Sequence, residues 1–162
     1  MKYDLVDKKD RLIKIGTKLE AKKLKLFTRS VHILLLNKEG KILLCKRSSN
    51  KETYPNKITS SAGGHVEQKE SYIIAAKREL KEELGIVTAL KNAGRFDIVN
   101  KQERAIHHLF IGKMKKIFPD PNEISSFSLM SVEEIKKDLC SHPNKYCMPF
   151  KEAFKCYFKY TQ

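Results

Sequence analysis

The feature that most constrains the fold is a glycine turn, a long helix and a glycine stop within residues 63–86, GGHVEQKESYIIAAKRELKEELGI. Apolar residues recur there at helical spacing, at Ile73, Ala76, Leu80 and Leu84. This periodicity predicts a helix over residues 71–84 with one buried side. Gly85 is a natural helix stop, because glycine readily adopts the left-handed conformation that ends helices. Gly63 and Gly64 predict a flexible turn before the helix.

Three carboxylates lie on one face of this predicted helix. Glu79, Glu82 and Glu83 stand at positions i, i+3 and i+4, which places them within about 100° of one another around the axis. They repel each other unless cations hold them. Oxygen ligands of this kind suit Mg²⁺ or Mn²⁺. Spacing alone also allows a solvated acidic face with an Arg78–Glu82 ion pair.

Residues around the three glutamates fit a metal site. The glycine turn lets the backbone approach a ligand, so the carbonyl of Gly63 could complete the site. Glu70 lies near the helix start, where the dipole favours negative charge. Arg78 can form a two-pronged contact with a carboxylate and hold it in place.

The rest of the chain predicts a mixed α/β fold in layers. Strands are predicted at residues 3–6, 11–15, 30–36, 41–46, 58–61, 86–89, 94–99 and 105–113. Further helices are predicted from Thr17, from Ser131 to about Leu139, and from Pro149 to the C-terminus. Residues 48–57 and 120–126 are predicted loops. We find no repeat and no linker, so residues 1–162 are predicted to form one domain.

Composition narrows the class of protein. The 162 residues carry 33 Lys and Arg against 19 Asp and Glu, a net charge of +14, which favours anionic partners. Only 6 of the 33 are Arg, the residue preferred for bidentate phosphate and base contacts, and no RNA-binding motif is present. The four cysteines lack metal-ligand spacing, so free thiols are expected. No segment is apolar enough for a membrane span or a signal peptide, and a cytoplasmic location is expected.

The segment 63–86 resembles the Nudix box, G-x5-E-x7-R-E-U-x-E-E-x-G-U, where U is a bulky apolar residue. Every defined position is met, by Gly64, Glu70, Arg78, Glu79, Leu80, Glu82, Glu83, Gly85 and Ile86. Elsewhere the resemblance is to the branch related to isopentenyl-diphosphate isomerase. Residues 1–28 are similar to that branch's N-terminal extension, through Leu5-Val6-Asp7 and the segment before Arg29.

The resemblance implies a Nudix α/β/α sandwich that hydrolyses a nucleoside diphosphate linked to another group X. It implies that Glu79, Glu82 and Glu83 bind Mg²⁺, or Mn²⁺, with the carbonyl of Gly63. Arg78 would orient Glu79, and the remaining box residues, Gly64, Glu70 and Gly85, would have structural roles. The general base stays open between Glu79 and Glu103, and Glu103 could instead be a further metal ligand or an exposed carboxylate.

The isomerase itself is a competing hypothesis. That enzyme uses a cysteine where Gly63 stands here, and Ala105 falls where its second downstream carboxylate is expected. Cys45 lies on a core-like strand and is a poor substitute. The complete set of box glutamates is what a hydrolase requires, so the chain is interpreted as a hydrolase.

The substrate is not encoded in any motif that we can decode. Lys46, Arg47, Tyr54 and His65 are candidates for binding it, while His32, His107 and His108 are expected to be structural. Two further hypotheses are an RNA 5′-end pyrophosphohydrolase and a non-catalytic nucleotide-binding module. A homodimer is compatible with the sequence but not required by it.

Overall fold

The structure is a computed structural model that describes residues 1–162. It contains nine strands, four α-helices and a short 3₁₀ helix at Pro143–Lys145. The strands are β1 (Tyr3–Val6), β2 (Leu12–Gly16), β3 (Thr28–Leu36), β4 (Ile42–Arg47), β5 (Ile58–Thr59), β6 (Ala62–His65), β7 (Leu90–Val99), β8 (Arg104–Lys113) and β9 (Ile124–Met130). The helices are α1 (Lys18–Lys23), α2 (Tyr72–Leu84), α3 (Val132–Ser141) and α4 (Met148–Thr161).

Strand β3 is the centre of a seven-stranded mixed sheet. It runs parallel to β8 over its whole length and antiparallel to β6 and β4. Beyond these, β7 pairs with β8, while β5 and β9 pair with β4. Strands β1 and β2 form a separate hairpin, which an isolated bridge between Val6 and Phe27 ties to the segment before β3.

Helices cover both faces of this sheet. Strand β3 is almost continuously buried, as expected for a strand between two layers. Its residues Val31 and Ile33 join a core cluster with Leu80 and Leu84 of α2. Leu34 joins a second cluster with buried aromatic residues of α4, namely Phe150, Phe154 and Tyr157. The fold is therefore the predicted α/β/α sandwich.

Helix α2 has a defined cap at each end. The Ser71 hydroxyl accepts a hydrogen bond from the Ile74 amide, and Gly85 adopts a left-handed conformation with φ of 65°. The segment after β8 then covers the C-terminal end, where the amides of Phe118 and Asp120 donate to the carbonyls of Leu84 and Glu83 at 2.8 and 2.9 Å. Both ends of the helix are thereby fixed relative to the sheet.

Three local predictions are wrong. Gly63 and Gly64 do not form a turn, because they belong to β6 and pair with His32 and Val31 of β3. Residues 86–89 form no strand, and β7 begins at Leu90. The predicted loop 120–126 ends early, because β9 begins at Ile124.

Two further predictions concern the whole chain. All four cysteines are free in the structure. None of the helices combines the length and apolar character needed to span a bilayer.

Candidate active site

The predicted site residues meet at a cleft of about 620 Å³ at the junction of β6 and α2. The glutamates Glu79, Glu82 and Glu83 line it from the helix, and Gly63, Gly64 and His65 line it from the strand. Arg47 and Tyr54 also line it, together with Glu103 from the loop between β7 and β8. Lys46 does not line the cleft and is exposed, because it is neighbour to Arg47 on a strand whose side chains alternate.

Arg78 is the hub of the acidic cluster. Its Nε and Nη2 atoms donate to the two carboxylate oxygens of Glu70 at 3.0 and 2.9 Å. Its Nη1 atom donates to Glu79 at 2.8 Å and to Glu82 at 3.2 Å, and Nη2 also donates to the His65 carbonyl at 2.9 Å. One guanidinium thus joins α2, β6 and the loop between them, which is the geometry that its rigid planar group permits.

The two glycines bring the strand against the helix. The Gly63 amide donates to Glu83 Oε2 at 3.4 Å. A Cβ atom on Gly64 would lie only 2.2 Å from Glu79 Oε1, and one on Gly63 would lie 2.6 Å from the Val31 carbonyl oxygen. Any larger residue at Gly64 would therefore displace the Glu79 carboxylate.

The carboxylates on this face are poorly compensated. Burial raises the pKa of Glu83 well above its usual range, and the neighbouring Glu79 and Glu123 add to the rise. Burial also raises the pKa of Glu79, although Arg78 opposes it. Closely spaced buried carboxylates hold protons more tightly, and a cation among them would reverse this effect.

The oxygen donors fit a hard divalent cation, but their present arrangement does not form a completed site. No group of three or more His, Cys, Asp or Glu side chains is arranged to hold a metal ion. In this arrangement Glu79 and Glu82 share the Nη1 atom of Arg78. The residues that could hold the ion are Glu79, Glu82 and Glu83, with the Gly63 carbonyl.

Glu103 lines the cleft and has defined contacts there. Its Oε1 atom accepts from the Tyr54 hydroxyl at 3.2 Å. His107 Nε2 lies 3.4 Å from Oε2 without the alignment of a hydrogen bond, and both ring nitrogens of His107 are buried without a partner. Burial raises the pKa of Glu103, but His107 and Tyr54 lower it by more, so its pKa lies below the usual range.

Three histidines line the cleft around Glu103. His32 Nδ1 is 2.8 Å from the Ser60 hydroxyl, and its ring centroid is 5.4 Å from that of His107. Burial lowers the pKa of His32 well below its usual range and that of His65 to about 3. These two rings are therefore neutral at physiological pH. His108 lies outside the cleft and stacks on Tyr72 at 3.9 Å.

Several cleft residues could not be found from the sequence. Lys18 enters from α1, while Lys51 and Glu123 form an ion pair between two loops. None belongs to a local motif, and only the pairing of β4 with β9 brings the two loops together. The buried polar residues of β3 and β8 were a detectable signal, since His32 and His107 interrupt apolar strands.

Comparison with protein families decides the assignment. The sequence model of the family described as NUDIX domain matches residues 26–149, which include the whole of α2, β6 and the cleft loops. This chain belongs to the Nudix family. With the complete set of box residues in place, it is a Nudix hydrolase, and Nudix hydrolases generally use divalent metals.

Curated relatives of this Nudix protein differ in activity. It is 29% identical to the prenyl-diphosphate phosphatase of Methanosarcina mazei over 159 residues, covering 95% of this chain and 93% of that protein. It is 33% identical to isopentenyl-diphosphate Delta-isomerase 1 of Mus musculus over 135 residues, covering 70% of this chain. The matched region spans 60% of the length of the mouse isomerase.

Solved structures share the Nudix fold. A crystal structure from Deinococcus radiodurans superposes with a TM-score of 0.82 at 21% identity, covering 97% of this chain and 99% of that one. The MutT protein from Methanosarcina mazei superposes with a TM-score of 0.71 at 26% identity, covering 84% of this chain and 96% of that one. The first likeness includes the N-terminal hairpin and α1, because it extends over nearly the whole chain.

Proposed function

We propose that this Nudix hydrolase cleaves a diphosphate bond in a Mg²⁺-dependent reaction in which water attacks phosphorus. The observation that carries the proposal is the Arg78 network, which gathers Glu70, Glu79 and Glu82 beside the half-buried Glu83. A solvated acidic face would not hold two half-buried carboxylates with raised pKa values at the edge of an open cleft.

Glu79, Glu82 and Glu83, with the Gly63 carbonyl, would hold the metal. When bound, Mg²⁺ would neutralise the diphosphate and lower the pKa of a coordinated water. Arg78 keeps Glu79 and Glu82 close to the cleft through its contacts with Glu70 and the His65 carbonyl. Arg47, whose Nε donates to the Thr53 carbonyl at 3.0 Å, lines the same cleft, where its positive charge can bind phosphate oxygens.

Glu79 and Glu103 are the two candidates for the general base. Glu79 is itself one of the proposed metal ligands, so its carboxylate would lie next to a water molecule held by the same ion, within reach of the proton to be removed. Glu103 has a lowered pKa and is held by Tyr54, which suits a positioning role or an additional metal ligand better than a base. We therefore propose Glu79 as the base.

The structure favours hydrolysis over isomerisation. A side chain at Gly63 would meet the Val31 carbonyl oxygen, so a cysteine there would require a different backbone. Burial raises the pKa of Cys45 to about 12, and it raises the pKa of Cys147, the other thiol that lines the cleft. Neither thiol has the lowered pKa of a reactive cysteine.

We propose a nucleoside diphosphate linked to a group X as the substrate class. The half-buried Tyr54 next to the cationic Arg47 offers a stacking surface beside a phosphate contact. A prenyl diphosphate is the second candidate, favoured by the full-length match to the Methanosarcina phosphatase.

The test is product formation from nucleoside diphosphates, nucleoside triphosphates, dinucleotides, nucleotide sugars, prenyl diphosphates and 5′-triphosphorylated RNA, with Mg²⁺ and with a chelator. Glu82→Gln is the inactive variant, and Lys77→Gln, exposed on the same helix, is the matched control. We expect Mg²⁺-dependent cleavage that falls at least 100-fold in Glu82→Gln and less than twofold in Lys77→Gln.

Each remaining outcome has a definite meaning. Cleavage that persists in the chelator would contradict the metal assignment. Nucleotide binding without product would show a binding module, and conversion of isopentenyl diphosphate to its isomer would refute the argument from Gly63. Preference for prenyl diphosphates would replace the first substrate class by the second.

A further inference from the structure

A second cleft, of about 410 Å³, opens from the first and has the opposite charge. It lies between α1, the start of β3 and the loop that joins β7 to β8. The two clefts share part of their walls, made by Lys18, Thr53, Tyr54, His65 and Glu103. We call this second cleft the basic annex.

The annex is lined by five cationic side chains and one carboxylate. The cations are Lys18, Lys22, Lys25, Lys101 and Arg104, and the carboxylate is Glu103. None of the five forms an ion pair with Asp or Glu. The first cleft has the reverse balance, since its carboxylates outnumber its cations.

Backbone contacts fix the walls that carry these cations. Lys22 Nζ donates to the Lys101 carbonyl at 3.2 Å, and Arg104 Nε donates to the Lys25 carbonyl at 2.8 Å. The Asn100 side chain accepts from the amides of Gln102 and Glu103, which braces the loop between β7 and β8. The annex is therefore a formed cleft, and four of its cations, Lys18, Lys22, Lys25 and Lys101, are exposed to solvent there.

The order of the two clefts suggests how one ligand would occupy both. A diphosphate beside Glu79 and Glu83 leaves the rest of its substrate to extend past Tyr54 and His65, which stand at the junction. Beyond that junction, five cations that have no carboxylate partner line one cleft and favour an anion, since a cleft with low-dielectric walls focuses the field of its charges.

We propose that the basic annex binds a phosphate monoester carried by one of the two groups that the cleaved diphosphate joins. This inference rests on the proposed diphosphate hydrolysis and makes its substrate class narrower. The annex would make the protein prefer substrates with a third phosphate that is not part of the scissile diphosphate.

Two pairs of compounds test the proposal, because each pair differs by one phosphate monoester: coenzyme A with 3′-dephospho-coenzyme A, and NADPH with NADH. Dissociation constants would be measured by calorimetry with Mg²⁺ in the Glu82→Gln background, so that turnover does not disturb the titration. We expect at least tenfold tighter binding of the phosphorylated member in at least one pair.

The double variant Lys25→Gln/Lys101→Gln should reduce that preference below threefold and leave the Kd of the dephosphorylated member within twofold. Lys137→Gln, an exposed lysine of α3 outside both clefts, is the matched control and should keep the preference. Equal affinities in both pairs, absence of binding, or a preference that survives the double variant would each overturn the proposal.

Hydrolysis of the same compounds by the wild-type protein separates the two proposals. A preference in binding without any diphosphate cleavage would refute the proposed function and leave the annex assignment standing. Cleavage with equal kinetics for both members of each pair would support the proposed function and refute the annex assignment.

Discussion

Gly63 and Gly64 are adjacent, yet the structure gives them different tasks. The three atoms nearest to a Cβ atom on Gly64 would all belong to the Glu79 carboxylate, which is the far end of a flexible side chain. A Cβ atom on Gly63 would meet the Val31 carbonyl oxygen, which the β3–β6 pairing holds in place. A substitution at Gly64 should therefore lower catalysis, and a substitution at Gly63 should lower stability.

The prediction is a separation of the two effects. Gly64→Ala should lower kcat at least tenfold and change the free energy of unfolding by less than about 1 kcal/mol, because Glu79 can turn away. Gly63→Ala should cost about 1–3 kcal/mol of stability, because backbone must shift. Urea unfolding and steady-state kinetics on both variants check this, and equal effects in both assays would contradict it.

The raised pKa of the half-buried Glu83 predicts how stability depends on pH. Its pKa is raised in the folded protein by burial, by Glu79 and by Glu123, so the folded state holds the proton to higher pH than the unfolded state does. Without metal, this group should cost stability as the pH rises from its unfolded pKa through its folded pKa, by at most about 1.4 kcal/mol per pH unit.

The comparison uses Glu83→Gln, which keeps the shape of the protonated side chain. In chelator, the melting temperature of Glu83→Gln minus that of the wild type should grow between pH 5 and pH 8. The neutral histidines are common to both proteins and cancel in this difference. Added Mg²⁺ should stabilise only the wild type, and a difference that is independent of pH would rule out the raised pKa.

Sequence reasoning located the residues of the site that belong to one local pattern. Glu79, Glu82 and Glu83 lie within about one helical turn, and so their convergence follows from helix geometry alone. Glu123 and Lys51 were not predicted as site residues, because they meet only through pairing between β4 and β9. Lys46 and Arg47 were indistinguishable until the register of β4 was known.

Among the elements, α2 depends on how its C-terminal end is closed. Gly85 has φ of 65°, and a Cβ atom there would lie 3.3 Å from Phe118 Cβ. Gly40 has a similar φ of 76°, but its Cβ atom would meet nothing within 4 Å. Substitution of either glycine therefore strains the backbone, but only at Gly85 would the new side chain also crowd a neighbouring residue.

We predict that Gly40→Ala costs about 1 kcal/mol, the ordinary penalty for a left-handed L-residue. Gly85→Ala should cost more, because Phe118 must also move and its amide holds the Leu84 carbonyl. Denaturant unfolding of the two variants measures the difference. A Gly85→Ala penalty no larger than that of Gly40→Ala would show that the covering segment adapts freely.

Helices and strands were predicted correctly where the local sequence determines them. The prediction failed where pairing with another strand determines the backbone conformation. The helix over 71–84 carries its own periodicity and stop signal. Gly63 and Gly64 have low intrinsic strand preference and are extended only because β3 pairs with them. Strand β9, with the sequence ISSFSLM, is mostly exposed at a sheet edge, so burial left little pattern to read.

At the scale of the whole molecule, the two core clusters differ in whether they adjoin the box glutamates. The α2 cluster adjoins the glutamates, whereas the α4 cluster lies on the other face of the sheet. Phe154 of α4 is 6% exposed, and Phe158, one turn later, is 38% exposed. Phe154→Ala should cost about 3–5 kcal/mol and Phe158→Ala less than about 1 kcal/mol.

The activity of folded Phe154→Ala, measured well below its melting temperature, should remain within twofold of the wild type. Thermal unfolding and the kinetic assay together check this prediction. A tenfold fall in kcat with an intact fold would mean that the α4 face is coupled to the box glutamates through the sheet.

The central pairing of β3 with β8 also has a consequence for how the chain acquires its structure. Residues 28–36 align in parallel with residues 105–113, so the middle of the sheet requires contact between segments that are far apart in sequence. A high contact order of this kind slows folding, because the chain must lose the entropy of closing a long loop before the contacts between β3 and β8 can stabilise it. During synthesis, the α2 glutamates therefore emerge well before β8, and the cleft that they line is complete only after its last lining residue, Pro149, has left the ribosome.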